Sequence, residues 1–113
     1  MKTQLIGAIA AATLALGAMV APATAEENFI VVQSTTSTQN SGLLDAILPA
    51  FTEKSGIEVR VVAVGTGQAI KNAENGDGDV LLVHAKPAEE KFVAAGGGVE
   101  RFDVMYNDFV VVG

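Results

Sequence analysis

Hydrophobic and polar positions switch between two periods along most of this chain. Phe29-Ile30-Val31-Val32-Gln33 is a β-type run that gives way abruptly to the polar stretch Ser34 to Gly42. Leu43, Leu44, Ile47, Leu48 and Phe51 then recur at helical spacing. That spacing predicts one apolar face on a helix of about three turns. Pro49 falls inside the pattern and either kinks the helix or marks its last part. Gly56 stands where a helix-ending glycine belongs. Ile57 to Val64 alternates first and is then apolar throughout, which suits a strand entering a sheet covered on both faces. Gly65-Thr66-Gly67 breaks that run before a helix carrying Ala69, Ile70 and Ala73.

Asn75-Gly76-Asp77-Gly78 is a turn cluster, and Asp79 to Val83 reads as a third strand. Lys86-Pro87 opens a helix with Glu89, Glu90, Phe92 and Val93, closed by Gly96-Gly97-Gly98. Proline at the start with acidic residues in the first turn is a favoured helix opening. After Val99 to Met105, Phe109-Val110-Val111-Val112 predicts a further strand, and the chain stops inside that run as if cut. Strand and helix in alternation predict an α/β fold, a parallel doubly wound sheet with right-handed crossovers. The 113 residues suffice for one small domain and not for two.

The first 25 residues follow a different rule. Lys2, the apolar run Leu5 to Val20 and the small residues Ala23-Thr24-Ala25 stand in the order of a secretory signal peptide. The expectation is a signal-peptide helix over residues 1–25, removed after Ala25, with the domain over 26–113. A membrane anchor is the rival, but the run is short, rich in Ala and Gly, and ends in Pro22. With no cysteine in the chain, disulfides, thiolate metal sites and thiol catalysis are excluded. Export without a lipidated cysteine predicts a periplasmic or secreted protein. The chain has 7 Lys and Arg against 13 Asp and Glu, a formal net charge of −6. That balance speaks against nucleic acid, which needs a basic footprint. It also means that any anion site must work through local dipoles rather than the global field.

In a parallel sheet of this kind, ligands bind beyond the carboxyl ends of the strands. Ser34 to Asn40 and Gly65-Thr66-Gly67-Gln68 both fall there. Each combines hydroxyl donors with backbone N–H groups at a helix start, which lack intrahelical partners and favour an anion. Gly65 and Gly67 leave room for a ligand to approach the backbone. Two converging helix starts with neutral donors suit a tetrahedral dianion. The plainer alternative is that these residues are helix caps and turns, although five consecutive hydroxyl residues, Ser34 to Thr38, exceed what a cap requires. Neither loop carries a Rossmann or P-loop fingerprint.

His84 is the single histidine. It could bind a metal or act as a base but has no partner histidine or cysteine, and the bland reading puts it at a strand end near the surface. Asp77 and Asp79 flank Gly78 as turn formers, with Asp79 also able to bond a nearby backbone N–H. Asn107-Asp108 reads equally as a turn or as a polar link across a hinge, and Glu89, Glu90 and Lys91 as a solvated helix face. No serine sits in a nucleophile elbow and no carboxylate pair stands out for acid–base work.

Ser34-Thr35-Thr36-Ser37-Thr38 followed by Ser41-Gly42-Leu43-Leu44 resembles the Thr-Thr-Thr-Ser segment of tungstate-binding proteins of ABC transporters. Val62 to Ala69, Gly78 to His84 and Met105 to Phe109 are similar to the same family in the same order. The resemblance covers Phe29 to Gly113. It implies one incomplete lobe of a type II periplasmic binding protein, in which two α/β lobes hold the oxyanion between them. It further implies a permease and ATPase as partners, no cofactor, and tungstate as ligand with molybdate as close competitor. Carried over residue by residue, Thr36, Ser37 and Thr38 of the first loop and Thr66 and Gly67 of the second would contact the oxyanion. Ser34 departs from the family's first threonine but keeps the hydroxyl. The family continues into a second lobe, so residues 26–113 are expected to be the N-terminal part of the first lobe only. A phosphate or sulfate receptor, an exported enzyme using Ser37 or His84, and a non-binding fragment are the competing readings.

Overall fold

A computed structural model describes residues 28–113, so the signal-peptide expectation for residues 1–25 lies outside the described residues. Seven elements follow in order: β1 (Phe29–Thr35), α1 (Thr36–Asn40), α2 (Leu43–Ser55), β2 (Glu58–Val64), α3 (Thr66–Glu74), β3 (Val80–Leu81) and α4 (Lys86–Ala94). The three strands form one parallel sheet in the order β2-β1-β3. With right-handed crossovers, stepping from β1 to β2 and then back across β1 to β3 puts the connecting helices on opposite faces. This is the expected α/β, doubly wound arrangement, and the direction of winding reverses at β1.

β1 is the centre of the molecule. It pairs along its whole length with β2, from Phe29 opposite Glu58 to Thr35 opposite Val64. On its other side only Val32 and Gln33 pair with Val80 and Leu81. Asp79 extends that short contact: Val31 N–H donates to its carboxylate at 2.8 Å while Asp79 N–H donates to the Val31 carbonyl at 2.8 Å. Leu82 N–H continues the ladder to the Gln33 carbonyl at 2.9 Å. The third strand is thus shorter than the run Asp79 to Val83 predicts, but hydrogen bonds flank it at both ends.

The core is small. Val32, Leu44, Ala69 and Phe92 are its buried apolar side chains among the described residues. Polar side chains fill the rest of the centre, with Gln33, Ser34 and Thr35 each no more than 2% exposed. Each is satisfied, as buried polar groups must be. Gln33 donates to the Asp77 carbonyl at 2.8 Å and accepts from Asn72 Nδ2 at 3.0 Å. Ser34 donates to the Leu82 carbonyl at 2.9 Å. Gly78 is required where Gln33 passes, since an added Cβ would lie 2.8 Å from Gln33 Cγ.

Helix boundaries follow the punctuation in the sequence. α2 runs through Pro49 and ends at Gly56, which is left-handed (φ 71°). The Asn75–Asp77 turn ends α3 in a Schellman motif: Asp77 N–H reaches the Asn72 carbonyl and Gly76 N–H the Ala73 carbonyl. α4 opens at Lys86-Pro87 as expected.

Five further expectations fail. β2 is not covered on both faces: exposure alternates along it, with Glu58, Arg60 and Val62 exposed, because only one face of this edge strand is packed. Ser34 and Thr35 belong to β1 and Thr36–Asn40 form a helical turn, where a loop was expected. Phe109 to Val112 forms no strand and is exposed, because no strand edge lies against it and a strand needs a hydrogen-bonding neighbour. Asn107 and Asp108 form neither a turn nor a polar link; both are exposed with no hydrogen bond. Glu89 is not on a solvated face. Arg101 folds back over the start of α4 and donates to Glu89 at 2.7 Å, while the other Glu89 oxygen accepts Ala85 N–H at 2.9 Å. Arg101 also reaches Asp103 at 2.7 Å. That bond, then the one to Glu89, holds the guanidinium above its usual range, and the bond to Arg101 holds Asp103 below the usual carboxylate range.

Candidate functional site

The hydroxyl run is divided by the end of β1. Ser34 is consumed by the sheet, where it bonds the carbonyl of Leu82. Thr35 is the N-cap of α1: its backbone is extended (φ −112°, ψ 151°) and its Oγ1 accepts from Thr38 N–H at 3.2 Å. Two of the five hydroxyls therefore have structural roles, and only Thr35 has the capping role that the plain reading assigns. Thr36 and Ser37 are exposed and Thr38 half-buried, all three in the first turn of α1.

Around Thr35 these side chains form a connected cluster. Its Oγ1 lies 2.8 Å from Thr38 Oγ1 and 3.1 Å from Ser37 Oγ. His84, arriving just beyond β3, places Nε2 at 3.3 Å from Thr35 Oγ1 and 3.2 Å from Ser37 Oγ. The ends of β1 and β3 meet here, on the side where the winding reverses, which is the position at which open α/β sheets hold ligands.

Thr66 and Gly67 are the first two residues of α3, immediately after β2. The register that sets Thr35 opposite Val64 brings both helix starts to the same end of the sheet, and α1 packs beside β1 and β2 alike. The N-cap Gly65 offers no side chain to bond the first N–H groups of α3, so those of Thr66, Gly67 and Gln68 have no intrahelical acceptor. An added Cβ at Gly67 would meet nothing within 4 Å. The structure therefore brings Ser37 and Thr38 into one cluster around Thr35 and leaves Thr36 exposed beside it, with no side-chain hydrogen bond among the described residues. It sets Thr66 and Gly67 on the neighbouring strand end, with no direct bond between the two groups.

Electrostatically the site is neutral apart from one ring. β1 and α1 contain no ionisable residue. No group of three His, Cys, Asp or Glu that could hold a metal exists among the described residues. What the site offers is a set of hydroxyls, free helical N–H groups and one imidazole, a donor set for an anion with several acceptor oxygens. Sequence reasoning missed Thr35 as the hub and His84 as its neighbour. A threonine directly before a helical turn is itself a cap signal; nothing in the sequence spacing joins His84 to residues nearly fifty positions earlier.

A family model described as PBP superfamily domain matches residues 20–113. The tungstate-binding protein TupA of Peptoclostridium acidaminophilum is 64% identical over 84 residues, 74% of this chain and 29% of that protein. The solved tungstate-binding protein TupA of Desulfovibrio alaskensis G20 is 54% identical with a TM-score of 0.70, covering 72% of this chain and 32% of that one. A solved tungstate ABC transporter protein from Geobacter sulfurreducens is 57% identical with a TM-score of 0.69, covering 73% and 35%. The chain thus spans about a third or less of the length of these relatives.

Proposed function

The chain belongs to the PBP superfamily domain family, and from that premise we propose that it captures a tetrahedral oxyanion, tungstate first and molybdate as close competitor. The observation that carries this reading is the hydroxyl cluster of Thr35, Ser37 and Thr38 at the end of β1, level with the free N–H groups of α3. Thr36, Ser37 and Thr38 would donate from one side, and Thr66 and Gly67 from the other. Neutral donors suit a protein whose net charge of −6 gives an anion no general attraction. The names of the relatives support tungstate over sulfate or phosphate. In this reading the chain is a receptor rather than a catalyst. Residues 1–25 export it to the periplasm, and residues 26–113 contribute to the first lobe of a two-lobed fold that delivers its ligand to a permease and ATPase. One lobe offers one side of the contact, so binding by these residues alone is expected to be weaker than in a clamp that closes from both sides.

Calorimetric titration with tungstate, molybdate and sulfate tests the reading. Thr66→Val is expected to weaken tungstate binding about tenfold, the worth of one hydrogen bond to a charged ligand. Equal affinity for sulfate and tungstate would overturn the choice of ligand. An unaltered affinity in Thr66→Val would overturn the second half of the site.

One distance favours a second reading, an exported hydrolase. His84 Nε2 lies 3.2 Å from Ser37 Oγ, the pairing of a base with a nucleophile. The ring's other nitrogen has no hydrogen-bond partner among the described residues, so the third group that orients a catalytic histidine is missing there. Covalent labelling of Ser37 by a serine-directed organophosphorus reagent would support this reading. Unreacted Ser37 would leave the receptor.

A further inference from the structure

The geometry points to His84 as the positioning residue of the oxyanion site: its Nε2 proton sets whether the hydroxyls of Thr35 and Ser37 face the ligand or the ring. We propose that anion capture is coupled to proton uptake at His84, because the cationic ring both keeps a donor on Nε2 and sets a positive charge beside the anion, an inference that rests on the oxyanion reading above. Nε2 contacts both hydroxyls, at 3.3 and 3.2 Å. A hydroxyl has one proton and two lone pairs to share. Thr35 Oγ1 already accepts Thr38 N–H, which leaves one proton and one lone pair to share among Thr38 Oγ1, Ser37 Oγ and the ring, and either oxygen of each hydroxyl pair can donate.

When Nε2 is bare, it can only accept. Ser37 or Thr35 then donates its proton to the ring, and the cluster loses one donor that an anion needs. When Nε2 carries a proton it can only donate. The hydroxyl oxygens accept from the ring, and their protons turn outward through Ser37 and Thr38 toward the end of the sheet. Full protonation of the ring also adds positive charge where the other donors are neutral.

The surroundings leave His84 free to act in this way. β1 and α1, whose side chains meet the ring, carry no ionisable group. On α4, which begins two residues later, Lys86 is turned to Glu90 at 4.0 Å and Glu89 is held by Arg101. Asp103 is also taken by Arg101, and on α3 Lys71 pairs with Glu74 at 3.1 Å. None of these side chains bonds the ring, whose own bonds go only to hydroxyls.

The sign follows from linkage. An anion that favours protonated His84 raises the ring's affinity for protons, so binding weakens as pH rises. Calorimetry on the untagged full chain with tungstate, repeated over a pH series, is expected to show affinity falling as pH rises, by up to about tenfold per pH unit. Buffers of unequal ionisation heat should report net proton uptake. His84→Gln, which keeps a donor without a titration, is expected to flatten the dependence. A wild-type profile already flat, or the same slope in His84→Gln, would overturn the proposal.

A ligand-free measurement separates this from the parent reading. His84 is the single histidine, so its ring nitrogens are read directly by NMR. Ser37→Ala is expected to move the balance between the two neutral ring forms; an unmoved balance would overturn the positioning role whatever the anion does. Absence of tungstate binding at every pH would instead overturn the oxyanion reading, with the ring measurement still deciding the role of His84.

Discussion

Thr35 shares one hydroxyl among four neighbours: Thr38 N–H, Thr38 Oγ1, Ser37 Oγ and His84 Nε2. It is 2% exposed, so water cannot replace what a substitution removes. Thr35→Val is therefore expected to cost about 1–2 kcal/mol of stability, through the lost cap and the unpaired groups left behind. Thr36→Val, one position on and exposed, is expected to change stability by less than about 0.5 kcal/mol while weakening tungstate binding. Denaturant unfolding of both variants, with titration of the second, checks the pair. Equal stability losses would show that the hydroxyl run is structural throughout. Gly78 makes a second case. Gln33 is held at both ends of its amide and cannot swing from a new Cβ, so Gly78→Ala should destabilise by about 1–3 kcal/mol.

Elements were legible where local chemistry and tertiary setting agree. The helix predicted from Leu43, Leu44, Ile47, Leu48 and Phe51, the glycine at 56 and the Asn75–Asp77 turn lie where expected, because each signal acts within one turn of the backbone, although Ile47 and Phe51 of that apolar face are exposed. Boundaries at the site were not legible in the same way. Ser34 is polar and would end a strand by composition, but the Leu82 carbonyl satisfies it and the strand continues. Phe109 to Val112 has strand composition without a partner, and composition alone does not supply one. Glu89 was misread because Arg101, twelve residues later, is not a helix neighbour. That contact should respond to acid. Asp103 is held below its ordinary value of 3.8 by Arg101, so its contribution is present above that value and lost as pH falls through the lower, folded one. Amide exchange over residues 99–103 is expected to accelerate there, with the β1 amides unmoved at that step; simultaneous acceleration would mean global acid unfolding.

Across the molecule, three strands and a small apolar core carry the described fold. The outer edges of β2 and β3 are unpaired within it, and Phe102, Val104, Met105, Tyr106 and Phe109 to Val112 are exposed. Open edges and exposed β-forming side chains favour association between chains. Light scattering on the purified chain is expected to show self-association that rises with concentration, and a monodisperse monomer would contradict this. The family and its winding were readable from the motifs; the His84 contact was not, since it exists only once β3 lies beside β1. The central claim is that this sheet end selects a tungsten oxyanion, and a ligand that binds only the folded state stabilises it, by about 2.7 kcal/mol at a hundredfold excess over Kd. Thermal unfolding of the chain with and without tungstate, with sulfate as control, tests it most directly. A cooperative transition raised by tungstate and not by sulfate is expected; a transition indifferent to tungstate, or raised equally by both, would contradict it.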